Sequence, residues 1–194
     1  MQIYADRHAL HRIPELELNL PETQAYLKRA LSGLSCHVFS PLGSALCAFF
    51  DFGAEEAVAF RADMDALPIS EKTGAPYAST HPGIMHACGH DGHMAMLLGA
   101  AKILLDKKDE IAGTVYLCFE RGEEDSGNVE YIFPYIEKNN IHIDTVYGTH
   151  LLATAPSGYL AINDGGMMAG AMGVNITIEG AGGHGSRPDQ ANSP

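Results

Sequence analysis

MHACGHDGHMAMLLGAAKILLDKKDEIAGTVYLCF, residues 85–119, reads as a loop, a helix and a strand in direct succession. Its centre, Gly92 to Lys107, is dense in Ala, Leu and Met, which favour helix. GTVYLCF (113–119) is an apolar run of strand-forming residues, read as a buried strand. Upstream, Ala57–Arg61 is a second strand that runs straight into RADMDALP (61–68). Downstream, NVEYIFPYIEKNN (128–140) is helical with Pro134 as an interruption, and DTVYGTH (144–150) is a further buried strand. Strands alternating with helical segments of roughly ten residues specify βαβ units. The predicted fold is therefore α/β, a mostly parallel sheet with flanking helices.

Outward from this core, Ile3 to Arg12 reads as a short helix stopped by Pro14. A second helix has Asn19 as cap, Pro21 and Glu22 in its first turn, an apolar side at Ala25, Leu27, Ala30, Leu31 and Leu34, and Gly33 at its end. Ser44–Phe52 is a strand, joined to Ala57–Arg61 by the tight connection GAEE (53–56). Beyond residue 156, SGYLAIN (157–163), GGMMAGAMG (165–173) and VNITIEG (174–180) read as strands with Gly-rich joints. The last residues, GGHGSRPDQANSP (182–194), read as an unfinished turn, so the expectation is a chain cut short.

Composition narrows the function classes. Twelve Lys and Arg against 24 Asp and Glu give a net charge of −12 over 194 residues, with 46% hydrophobic residues. Such a chain buries a core, and its charge argues against nucleic acid or an anionic membrane as partner. No apolar run approaches the roughly 20 residues of a membrane span, and the charged N-terminus is not a secretory signal. Four cysteines (36, 47, 88 and 118) with no CxxC spacing do not make a disulfide framework. The expectation is a cytoplasmic protein.

In open α/β sheets, ligands collect at the carboxyl ends of parallel strands. There Ala57–Arg61 delivers Asp63 and Asp65, Gly113–Phe119 delivers Glu120, Glu123 and Glu124, and the strand ending at Gly148 delivers His150. HACGHDGH adds His86, Cys88, His90, Asp91 and His93. Thiolate, imidazole and carboxylate are ligands of zinc and similar divalent ions. A hydrolytic site needs such ligands, an open position for water, and a base. The pair Glu123–Glu124 suits that division, one side chain binding metal while its neighbour diverges towards water. A ligand set using Asp91 or His93 in place of Cys88 stays open. Cys36, Cys47 and Cys118 read as small buried hydrophobes, and His8, His11, His37, His81 and His142 as ordinary surface or core residues. GGHGSRP lacks GK[ST] and a following helix, so it is not a phosphate loop, and HGSRP is not a nucleophile elbow.

RADMDALP, MHACGHDGHMAMLLGAAKIL, the Glu pair after a buried strand, GTHL and GAGGHGSRP, in this order, resemble co-catalytic metallopeptidases of the aminoacylase/carboxypeptidase type. RHALHRIPELELNLPETQAYL and ACGHD resemble the N-acyl-amino-acid amidohydrolase branch, which includes hippurate and auxin-conjugate hydrolases. The resemblance implies a zinc-exopeptidase-like catalytic domain over residues 1–165 and the first strands of an inserted α+β lid over 166–194. It implies two divalent metal ions, zinc or manganese, with Cys88, His90, Glu124 and His150 as ligands. Glu123 would be the general base, Asp65 an orienting group, and His184 a lid residue stabilising the tetrahedral intermediate. The substrates would be N-acyl amino acids or small peptides, with a homodimer formed through the lid. A further metal-ligand histidine of the family has no counterpart in these residues, and the rival expectation is a truncated or degenerate homologue that binds metal or a partner without turnover. FERGEE (119–124) departs from the branch's Pro-Ala before the Glu pair, and Met94 stands where threonine is common.

Overall fold

A computed structural model describes residues 2–124, 132–170 and 172–192. Helices α1 (Gln2–His11) and α2 (Pro21–Leu31) precede strands β1 (His37–Phe39), β2 (Leu46–Asp51) and β3 (Ala57–Asp63). Then come α3 (His90–Asp106), β4 (Thr114–Glu120), α4 (Ile132–Lys138) and β5 (Thr145–Gly148). The expected helices and strands of this region all form, and the first four residues of NVEYIFPYIEKNN lie outside the described residues. β1, three residues long, has no sequence signature of its own.

One five-stranded sheet runs in the order β1-β2-β4-β3-β5. β4, β3 and β5 are parallel, whereas β1 and β2 join antiparallel, so the sheet is mixed. GAEE does not make a hairpin: β4 inserts between β2 and β3. Alternation along β4 turns Val115, Leu117 and Phe119 into the core, where Phe50 of β2, Met94 and Leu98 of α3, and Leu10, Leu27 and Leu31 of α1 and α2 meet them. On the other face, Phe39 stacks on Tyr135 of α4, and Cys47 stands opposite Cys118 in the β2–β4 register as a buried free thiol. DTVYGTH is not buried. β5 is an edge strand with all four residues exposed, Val146 and Tyr147 among them.

α2 is capped from a distance. Asn19 makes no cap; instead, the Glu15 carboxylate accepts the Glu22 and Thr23 amides at 3.2 and 2.9 Å. A carboxylate there also meets the positive end of the helix dipole. α1 is tied to α3 by buried charge. His11 places Nδ1 2.7 Å from Asp91 and Nε2 3.3 Å from Glu71, and Arg7 lies 2.8 Å from the same Asp91 oxygen. A ring whose two nitrogens both face carboxylates is held protonated, so the His11 pKa is raised, through Asp91 above all. His11 is thus a buried structural residue with both ring nitrogens satisfied, in keeping with its reading as a core residue.

The chain divides into two compact units, Met1–Ala153 and Thr154–Pro194. In the second, SGYLAIN, GGMMAGAMG and VNITIEG form no strand among the described residues. Only Ala181 and Asn192 pair, around a 3₁₀ turn at Pro188–Gln190. A strand exists only where a neighbour takes up its backbone groups; Val174, Ile176 and Ile178 keep the alternating pattern and lie exposed. No helix among the described residues is long and apolar enough to cross a membrane.

Candidate metal centre

The parallel strands β3, β4 and β5 end at one edge, where the chemistry gathers. Asp63 is level with Glu120 in the β3–β4 register, and Arg61 with Gly148 in the β3–β5 register. Continuing the latter by two residues sets His150 beside Asp63. The loop into α3 adds Cys88 and His90 across Gly89, which has φ +93° and where a Cβ would stand 2.9 Å from Leu151 Cδ1.

HACGHDGH is sorted by direction. His90 and His93 are three apart on α3 and share one face, towards the strand ends. Asp91 points away to α1, and His86 is buried near His11, their ring centres 6.3 Å apart. Two groups of donor atoms result, each with all members within 4.8 Å of one another. One is Cys88, His90 and Glu124; the other is Asp63, His90, His93 and His150. Cys88 Sγ lies 3.3 Å from His150 Nε2, joining the two.

Asp65, fully buried, organises the Glu pair. Its carboxylate accepts the amides of Glu123 at 3.1 Å and Glu124 at 3.0 Å, and its carbonyl accepts His90 Nδ1–H at 2.8 Å. The two glutamates do not diverge as expected. Glu123 Oε2 and Glu124 Oε1 both approach His90 Nε2, at 3.8 and 3.7 Å, because Asp65 holds the two amides side by side. Their burial separates them, Glu123 being 36% exposed and Glu124 18%. Arg121, next to the pair in sequence, turns its guanidinium to the Leu18 carbonyl at 3.0 Å. His184 belongs to the second unit, where its Nδ1 accepts the Ser186 amide and hydroxyl at 3.2 and 2.8 Å.

The donor set fits a divalent cation. His90 Nε2 and Glu124 Oε1 are buried and have no hydrogen-bond partner among the described residues. Burial and the charge of Glu124 push the Cys88 thiol up to about 12, and burial pushes Glu124 up as well. Burial pulls His90 down, but Asp65 and the charge of Asp63 outweigh it and raise the ring. Each of these donors therefore favours a bound proton, and a metal ion takes the proton's place. Asp63 differs: burial opposes its ionisation, yet the His93 hydrogen bond and the His90 and Arg61 charges hold it at about 2.

Known proteins share this arrangement of chain. The N-acetyl-L-cysteine deacetylase of Bacillus subtilis (strain 168) is 39% identical over 197 residues, covering 100% of this chain and 46% of the relative. Thermostable carboxypeptidase 1 of Saccharolobus solfataricus is 38% identical over 192 residues, covering 97% of this chain and 49% of the relative. A Bacillus subtilis crystal structure, described as a dinuclear metal-binding peptidase of the M20 family, superposes with a TM-score of 0.74 at 32% identity, over 81% of this chain and 44% of that one. The chain spans about half the length of the curated relatives it matches. Residues 59–193 match peptidase family M20/M25/M40, and together with the metal-ready cluster at the strand ends they make this chain a member of that family.

Proposed function

We propose that this chain carries the metal-binding half-site of a hydrolase acting on the amide bond of N-acyl amino acids or small peptides. The observation that carries the reading is the pair of buried donor atoms His90 Nε2 and Glu124 Oε1, 3.7 Å apart and without a hydrogen-bond partner among the described residues, beside the more exposed carboxylate of Glu123. Relatives named as a deacetylase and a carboxypeptidase support the substrate class. Cys88, His90, Glu124 and His150 would hold two divalent ions, zinc or manganese, since mixed sulfur, nitrogen and oxygen donors accept both. Bound ions supply Lewis acidity towards the acyl oxygen and lower the pKa of water.

The chain's own groups do the rest. Glu123 takes the proton of the attacking water and returns it to the leaving amine. Asp65, through the two amides it accepts, fixes where both glutamates stand. His184, with Nδ1 occupied as an acceptor, carries its proton on Nε2 and offers it to the developing oxyanion. In the same reading, residues 166–194 begin a lid through which two copies pair.

Amine release from N-acetyl and N-benzoyl amino acids, measured on a hydrolase that carries this half-site, tests the proposal. Activity is expected to vanish with chelator and to return with zinc or manganese. Hydrolysis indifferent to the chelator would sink the metal mechanism.

A further inference from the structure

Asp63 and His93 sit among the proposed ligands and, by residue type alone, qualify as ligands themselves. Their hydrogen bonds give them another task. The Leu151 amide lies 2.9 Å from His93 Nε2. A peptide N–H can only donate, so that Nε2 bears no proton and its lone pair is engaged. The ring proton therefore sits on Nδ1, which donates to Asp63 Oδ1 at 2.6 Å. Asp63 Oδ2 in turn accepts from Arg61 at 2.8 Å, and the same guanidinium holds Glu120. Both nitrogens of His93 are thus satisfied within the protein. His90 is the opposite case: Nδ1–H goes to the Asp65 carbonyl and Nε2 is left over.

Leu151 is where this relay reaches the metal centre. Its N–H is held by His93, and its carbonyl accepts the Nδ1–H of His150 at 2.7 Å. The second bond fixes the His150 tautomer and leaves the lone pair on Nε2, which accepts from the Cys88 thiol at 3.3 Å. Both polar main-chain atoms of one residue are gripped, and the imidazole next to it is aimed.

We propose that His93 and Asp63 are positioning residues, not ligands, and that the relay Arg61–Asp63–His93–Leu151 aims His150 Nε2 into the metal centre. The inference rests on His150 being a ligand, as proposed above. It also separates two residue sets that ligand chemistry alone leaves mixed, because an imidazole cannot give one lone pair to both an amide and a cation.

Zinc titration of the protein against a chromophoric chelator tests it, with wild type, His93→Asn, His93→Gln, Asp63→Asn and the Asp63→Asn/His93→Asn double variant. The Asn amide nitrogen can stand near the place of Nδ1 and still donate to Asp63, but the side chain is too short for Leu151. Gln reaches the Nε2 position and can accept from Leu151. His93→Asn is expected to bind as many zinc ions at saturation as wild type, one of them about 10–100-fold more weakly. His93→Gln is expected to recover most of that loss, and the double variant to be little worse than His93→Asn, since both changes break one relay. Loss of a zinc equivalent in both His93 variants would make His93 a ligand and overturn the proposal. Unchanged affinity in His93→Asn would overturn it too. Wild type that takes up no zinc or manganese would instead defeat the metal reading itself, and this inference with it.

Discussion

Glu123→Gln is expected to lower kcat for N-acyl amino acid hydrolysis by about 10²–10⁴-fold, the range for loss of a positioned general base. Metal content and KM should stay within a few-fold of wild type. The substitution keeps the backbone amide that donates to Asp65 and the length of the side chain, and removes only the carboxylate's ability to take a proton. Glu124→Gln is the necessary comparison, because both glutamates approach the same His90 nitrogen. Glu124 Oε1 is buried and has no hydrogen-bond partner among the described residues, so that variant should lose metal along with activity. Metal content by elemental analysis beside steady-state kinetics separates the two roles. If Glu123→Gln lost its metal while Glu124→Gln kept metal and lost only turnover, the assignments would be exchanged; full activity in both variants would remove the pair from the mechanism.

Asp91→Ala should cost about 3 kcal/mol of stability, the lower end for breaking a buried ion pair by removing one partner. Asp91 is fully buried, and its loss leaves the buried His11 with Glu71 alone and takes from Arg7 its carboxylate. Arg7 is one-third exposed and can turn to water, which is why the lower end applies. Urea denaturation of wild type and variant reads the difference, and a change below about 1 kcal/mol would contradict the role given to this cluster. The pair also sets a pH window. Burial opposes ionisation of Asp91, but His11 and Arg7 outweigh it, so its pKa lies below the ordinary 3.8. That stability is present above about pH 4 and is lost as pH falls through the lowered value. The His11 pKa is raised from 6.5, so its share is complete below that pH and is lost as pH rises through the raised value. Asp91→Ala should flatten both limbs.

The sequence made the strand-helix-strand core legible because hydrophobic period and residue propensity agree there. Its donor residues were legible as types: Cys88, His90, Glu124 and His150 do meet at the strand ends. Direction was not. HACGHDGH looks like one cluster in one dimension, but roughly 100° per residue along α3 sends Asp91 to α1 and keeps His90 and His93 together. The i, i+3 spacing of those two histidines was a usable signal. His11 carried none, since its partner lies 80 residues away. Asn19 met the local rule for a cap, yet Glu15 supplied the acceptor from outside the helix. DTVYGTH has the composition of a buried strand, but burial depends on what covers a sheet edge, and that is not written within seven residues.

Gly89 has a consequence for how tightly the centre can hold a cation. Cys88 and His90 are next-nearest neighbours, and the left-handed turn between them brings thiol and imidazole to bear on one point. Were both to bind one ion, they would form a chelate whose main-chain geometry is already in place in the folded chain. A residue with a side chain would resist that geometry by roughly 1–2 kcal/mol and would also press on Leu151. With glycine there, a cation meets two donors that need no bending of the main chain, so little of its binding energy is spent on ordering them. A residue whose side chain offers no donor thereby presets the geometry of the two candidate ligands on either side of it.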